Sequence, residues 1–250
     1  MRAIFSASVF DPASSIHEVR SRIPRFPHGT LRLPLRDRLN MEAIVIVLFR
    51  VAVMLMFRSI KVLCLLMLVA ASAVARPLVV IDAGHGGHDR GGMPGQRVPE
   101  KGYTLDVAKR LNGVLRSAGF RTVMTRSSDE FVGLGDRCRI ANRQSNAIFV
   151  SIHFNGASNY DAFGVETYYC RGSKSAALAT AIHRAVLSAT GTMDRRVRSR
   201  GFFVIRRTNV PAVLCELGFL TNRSEAARIA TTSYRQKLAE AIARGIRARY

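Results

Sequence analysis

The chain has 250 residues, 48% of them hydrophobic and 8% aromatic, with 38 Lys and Arg against 17 Asp and Glu. So many apolar residues exclude disorder for most of the chain and suit one globular domain plus an appendage. A formal charge of +21 attracts polyanions such as nucleic acid, anionic lipid or wall polymers with free carboxylates, yet there is no Trp and no aromatic–basic RNA-binding signature.

Residues 1–53 contain prolines, scattered basic residues and an apolar stretch interrupted by Arg50. Residues 57–75, FRSIKVLCLLMLVAASAVA, have the order of a signal peptide. Arg58 and Lys61 come first, then an apolar run from Val62 to Ala71, short for a bilayer span, then Ala73-Val74-Ala75 as a small-x-small cleavage site. A membrane anchor or a buried core helix is the plainer alternative. A signal peptide begins a chain, so Met54 or Met56 is the expected start. Residues 54–75 are then the signal peptide. Residues 1–53 are a gene-model extension, or a long N-region carrying its own membrane segment.

Residues 76–250 are the expected mature domain, exported to the periplasm or cell wall. They carry 28 basic and 13 acidic side chains. Cys64 leaves with the signal peptide and lacks the small residues that precede a lipidated cysteine. Cys138, Cys170 and Cys215 remain, with no CxxC spacing to suggest a cysteine-built metal site.

Short apolar runs then alternate with helical patterns. Leu78–Asp82 predicts a strand followed by a glycine-rich loop. Leu105, Ala108, Leu111 and Leu115 make a helical stripe that ends near Gly119. Arg121–Thr125 and Ala147–Ile152 predict strands, the second buried on both faces. Gly164–Cys170 alternates as a strand, and Ser175 to about Thr190 is an alanine-rich helix. Phe202–Ile205 and Ala212–Leu217 predict strands. A last helix is expected to open at Ser233, with Gln236 at capping-box spacing. Strands interleaved with helices predict an α/β three-layer sandwich with a mostly parallel central sheet flanked by helices.

In open α/β sheets functional groups gather at the carboxyl ends of strands. Three polar clusters fall there: Asp82-Ala83-Gly84-His85-Gly86-Gly87-His88-Asp89, Ser151-Ile152-His153-Phe154-Asn155, and Glu216 within Ala212–Phe219. Glu100 follows Pro99 at the start of the first domain helix and faces the same rim. Two histidines and one carboxylate from separate elements make a catalytic zinc set with a fourth position open for water. A second carboxylate can then carry the water's proton. A histidine beside glycines is more often a turn residue than a ligand, but a carboxylate inside an apolar strand, as at Glu216, is costly unless paired or functional. Asp82 is expected to bond loop amides or to orient a ligand histidine.

The stretches VVIDAGHGGHDRGG, VPEKGYTLDVAKRL, VMTRSSDEFVGLGDRCRIAN, FVSIHFNG, GVETYY and VPAVLCELGFLTN resemble, in order, the zinc-dependent N-acetylmuramoyl-L-alanine amidases related to bacterial division and spore amidases. The resemblance runs from about Leu78 to the C-terminus. It implies Zn2+ held by His85, Glu100 and His153, with Glu216 as general acid and base. It also implies a peptidoglycan substrate, cut between the lactyl group of N-acetylmuramic acid and L-alanine, in wall remodelling or cell separation. Phe154 stands where many relatives have Ala, and His88 matches a variable position. Some relatives carry a helical plug after the GVETYY-like strand, removed by a partner; only Arg171-Gly172-Ser173-Lys174 lies there, so no activator is required.

The rival readings are a zinc carboxypeptidase or endopeptidase acting on wall peptides, a non-catalytic peptidoglycan-binding module, and charge-driven nucleic-acid binding. Export argues against a nucleic-acid partner, and no membrane contact is expected once the signal peptide is removed.

Overall fold

The computed structural model describes residues 35–71, 76–92, 96 and 98–250. These divide into two units at Ala70/Ala71. The first is built on one helix of 37 residues, α1 (Leu35–Ala71). Within it Ala43–Val62, with a mean hydropathy of 2.3, is long and apolar enough to cross a membrane, properties that a signal helix shares. The expected apolar run from Val62 to Ala71 is therefore the end of a longer helix that also takes in Arg50. Ala73-Val74-Ala75 and residues 1–34 lie outside the described residues.

In the second unit, strands β1 (Leu78–Ala83), β2 (Thr122–Met124), β3 (Ala147–Asn155), β4 (Val165–Tyr169), β5 (Asp194–Ser199) and β6 (Ala212–Phe219) form one sheet. Its order is β2-β1-β3-β6-β4-β5. The pairs β1–β2, β1–β3 and β3–β6 are parallel, β4 is antiparallel to β6, and β5 is parallel to β4. The mostly parallel α/β sheet is as expected.

Helices cover both faces because alternate residues of the central strands are apolar on each side. Val79, Ile81 and Ala83 pack with α2 (Glu100–Ser117), α4 (Ser173–Thr190) and α7 (Thr232–Arg247) in the larger core. Leu78, Val80, Phe149 and Leu214 point the other way, onto α3 (Leu134–Asn142) and α5 (Phe203–Arg206). Thin cover on the second face leaves the carboxyl ends of β1, β3 and β6 accessible there.

Several expectations need correction. Phe202–Ile205 is not a strand: residues 203–206 are the single helical turn α5. A four-residue apolar run fits either state. Here β6 already has β3 and β4 as neighbours, so Val204 and Ile205 instead pack with Cys138 and Ala141 of α3. Helix α7 is capped by the Thr231 side chain, which accepts from the Tyr234 amide, and Ser233 lies within the helix. Strands β3 and β6 run further than expected, to Asn155 and Phe219, which brings His153 inside a strand as Glu216 already was. Unexpected elements are α3, β5 and α6 (Arg223–Ala230). All three are short, and β5 is an edge strand with three arginines in six residues, which blunts edge pairing.

Candidate metal centre

Beyond Ala83 the chain leaves the sheet, and its carbonyls need new donors. Two buried arginines supply them. Arg126 donates to the carbonyls of Ala83 at 3.0 Å and Gly84 at 2.8 Å. Arg137 donates to those of Ala83 at 2.6 Å and His85 at 2.8 Å. This clamp holds His85 at φ 61°, a left-handed conformation that is costly for a residue other than glycine. A Cβ at Gly84 would lie 2.4 Å from Cε1 of His153, so only glycine lets the loop pass the second imidazole.

Asp82 does not bond loop amides or a ligand histidine, as the sequence suggested. Its carboxylate accepts from Arg137 at 2.7 Å, from Thr125 at 2.7 Å and from Ser151 at 2.6 Å. It therefore positions the arginine that clamps the loop. The residue against His85 is Asp89, 2.9 Å from Nδ1, its other oxygen accepting from the Gly91 amide.

Glu100 is the first residue of α2, preceded by Pro99 as an extended N-cap. Proline loses nothing there because that amide has no helical partner. The fixed turn aims the buried Glu100 carboxylate at the rim. Its Oε2 lies 3.1 Å from Nε2 of His85, and its Oε1 lies 2.9 Å from Nδ1 of His153. Oε1 also accepts from the Phe154 amide at 2.9 Å. The two rings stand edge to face with centroids 4.8 Å apart. One ligand atom from each of His85, Glu100 and His153 falls within 4.8 Å of the others.

The electrostatics follow from this packing. Burial opposes charge on Glu100, but hydrogen bonds and charge from His153 and His85 outweigh it and hold the carboxyl at about 2. Burial likewise opposes charge on His153, yet Glu100 carries it up to about 9. His85 is raised in the same way, burial again being outweighed by Glu100. One anion thus strengthens the hold of two imidazoles on their protons, in a space suited to a dication. Two imidazole nitrogens with one carboxylate are donors that suit zinc, and a carboxylate behind a ligand histidine, as Asp89 stands behind His85, is the usual second support.

Glu216 lies beside this cluster and outside it. In the β3–β6 ladder it pairs with His153, and in the β4–β6 ladder with Glu166. Its Oε2 is shielded from solvent with no hydrogen-bond partner. Burial pushes the carboxyl up to about 7, against the pull of His153 and with added repulsion from Glu100 and Glu166. Glu166 is itself satisfied by Asn155, Tyr168 and Arg195. A cavity of ≈ 450 Å³ opens onto His85 and His153, walled by Phe131, Leu134, Phe202 and Phe203.

The structure therefore brings His85, Glu100 and His153 into one cluster with Glu216 alongside. It leaves His88 apart, stacked on Phe131 with centroids 4.1 Å apart. Sequence reasoning missed Asp89, Arg126 and Arg137. Asp89, four residues after His85, was the accessible signal; the arginines act from 42 and 52 residues away.

Residues 79–248 match the family profile described as N-acetylmuramoyl-L-alanine amidase. Over 167 residues the chain is 37% identical to N-acetylmuramoyl-L-alanine amidase LytC of Bacillus subtilis (strain 168), covering 66% of this chain and 34% of LytC. The chain thus spans about a third of that relative. Among solved structures, the catalytic domain of CwlV, N-acetylmuramoyl-L-alanine amidase from Bacillus (Paenibacillus) polymyxa var. colistinus, superposes with a TM-score of 0.65 at 39% identity, over 69% of this chain and 97% of that one. The CwlD amidase from Clostridioides difficile, solved in complex with the GerS lipoprotein, gives 0.67 at 27% identity, over 70% and 98%.

Proposed function

The chain belongs to the N-acetylmuramoyl-L-alanine amidase family, and on that premise we propose an exported zinc hydrolase that cuts the amide between the N-acetylmuramic acid lactyl group and L-alanine of peptidoglycan. The observation that carries this reading is the cluster of His85, Glu100 and His153 within 4.8 Å, with the unpartnered Glu216 carboxylate beside it. His85, Glu100 and His153 would hold the metal, and Asp89 would fix the His85 tautomer. When bound, zinc supplies a Lewis acid for the scissile carbonyl and for the attacking water.

The remaining steps belong to the chain's own side chains. Glu216 takes the water's proton at its free oxygen and delivers it to the departing alanine nitrogen, a poor leaving group unless protonated. A carboxyl titrating near neutrality suits both halves of that transfer. The apolar walls of the cavity exclude bulk water around the reacting groups and receive the sugar's apolar face.

A role in wall remodelling or cell separation and an extracellular or wall location fit the family. The apolar segment Ala43–Val62 is compatible with an export signal. The short connection from β4, which ends at Tyr169, to α4, which begins at Ser173, supports the reading that the domain acts without an activator. Purified domain incubated with cell-wall sacculi should release stem peptides with free L-alanine amino termini, detected by mass spectrometry, without a second protein. Release of terminal D-alanine alone would make it a carboxypeptidase. Wall binding without products would make it a binding module. Activity only after a second protein is added would overturn the activator reading.

A further inference from the structure

At the opposite end of the sheet, where the parallel strands begin, a cleft of ≈ 760 Å³ is lined by Arg76, Lys174, Arg247 and Arg249. An adjoining hollow of ≈ 470 Å³ shares Arg76 and Arg247 and adds Arg244. No acidic side chain lines either. Some arginines elsewhere in the domain are paired: Arg110 and Arg235 with Asp106, Arg195 with Glu166, Arg228 with Glu225. Among the described residues these five basic groups form no ion pair. Exposed cations gathered with no acidic side chain among them repel one another, and a bound polyanion relieves that repulsion.

We propose that this cleft is a second binding site, for the phosphates of an anionic lipid surface, and that it docks the domain with its metal centre facing away from the bilayer. Three observations favour lipid over a wall polymer. The chain enters the domain here, since Arg76 and Pro77 line the cleft and lead directly into β1. What precedes them in the chain is the apolar helix α1, so this is the end of the domain to which the apolar segment connects. If the leader is removed after Ala75, the new α-amino group adds a further cation at the cleft.

The second observation is chemical. Arg76 lies over the Phe120 ring at 5.0 Å and Arg249 over Tyr250 at 5.3 Å. The guanidinium of Arg249 beside the amphipathic Tyr250 ring suits a headgroup layer, where arginine forks meet phosphate. Five basic groups fall within the cluster size that reads as binding to anionic lipid.

The third observation is spatial. Ala147 lines the cleft and His153 the metal site, six residues apart along β3. At strand rise that separation is about 20 Å. A domain seated on lipid by this end presents its metal centre to the wall. This adds a membrane-surface contact that the leader alone did not suggest, and it rests on nothing in the metal centre.

Residues 76–250 can be tested alone, because 71–250 is one compact unit and a similar catalytic domain has been solved in isolation. The domain should sediment with vesicles of phosphatidylglycerol and phosphatidylcholine, and not with phosphatidylcholine alone. The triple variant Arg244→Gln, Arg247→Gln, Arg249→Gln should weaken that binding at least roughly tenfold. A control removing three exposed charges elsewhere, Lys109→Gln, Arg184→Gln and Lys237→Gln, should change it by less than about twofold. Unchanged melting temperatures would show both variants folded, whether or not the chain cuts peptidoglycan. Equal losses in both variants, no binding to the anionic vesicles, or binding to a soluble polyphosphate chain but not to vesicles would each overturn the proposal.

Discussion

Glu216 faces His153 across the β3–β6 ladder, and its Oε2 is a buried carboxylate oxygen that nothing among the described residues satisfies. Buried polar atoms are nearly always paired, so an unpaired one beside a cluster of ligand groups is kept for a task other than stability. Glu166, the partner on the other side of the strand, differs in kind: Asn155, Tyr168 and Arg195 all reach it. One carboxylate is fixed and the other is free to exchange a proton.

Glu216→Gln keeps the shape and removes the proton carrier. The variant should bind metal and substrate as before while turnover falls at least about a hundredfold. Metal content measured beside kcat checks this. Loss of metal with activity restored by excess metal would instead make Glu216 a ligand.

His85→Ala and His153→Ala each remove one of three clustered donors. The purified domain should carry about one zinc per chain, and either variant should carry almost none after dialysis. Undiminished metal in both would break the assignment.

Metal uptake should depend on pH, and the sign follows from the protons it displaces. His153 holds its proton up to about 9 and is charged at neutrality in the metal-free site, and His85 is raised as well. A protonated imidazole has no lone pair to give. Apparent affinity should therefore fall roughly tenfold per pH unit for each proton released as pH drops below about 9. Competition titration with a chelating dye between pH 6 and 9 measures the slope, and a flat profile would contradict it.

Asp89→Asn tests support at one remove. With its oxygen 2.9 Å from His85 Nδ1, Asp89 fixes the ring and its tautomer. Metal affinity should drop about 10–100-fold, with activity recovered when metal is in excess. A lower kcat at saturating metal would mean that Asp89 does more than orient the ring.

Arg137→Met should be a folding variant. It strips a buried partner from Asp82 and donors from the carbonyls of Ala83 and His85. Breaking such a pair costs about 3–5 kcal/mol, read as a lower urea midpoint of the domain. A shift under about 1 kcal/mol would mean that the loop is held by other means.

Much of this was legible from residues because the strongest patterns sit where packing is least negotiable. Leu78–Ala83 and Ala147–Asn155 are buried on nearly every side, so their apolar runs could be little else. His85, Glu100, His153 and Glu216 showed as polar groups at the ends of those runs or within them. What escaped was set by tertiary context. Phe202–Ile205 reads as a strand by composition, but its apolar residues pack against α3 and the segment is wound into a turn. Asp82 looked like a site residue because it is a carboxylate at a strand end, but its partner is an arginine 55 residues away. Spacing along the chain carries no trace of such a contact.

The clamp on the β1 loop also separates where a ligand is written from where it is secured. His85 is carried by one segment, yet the main chain of that segment is tethered by Arg126, 42 residues beyond Gly84, and by Arg137, 52 residues beyond His85. Transplanting the histidine-bearing loop into another scaffold would therefore carry the ligand without its moorings, and a graft built to capture metal must bring Arg126 and Arg137 along with it.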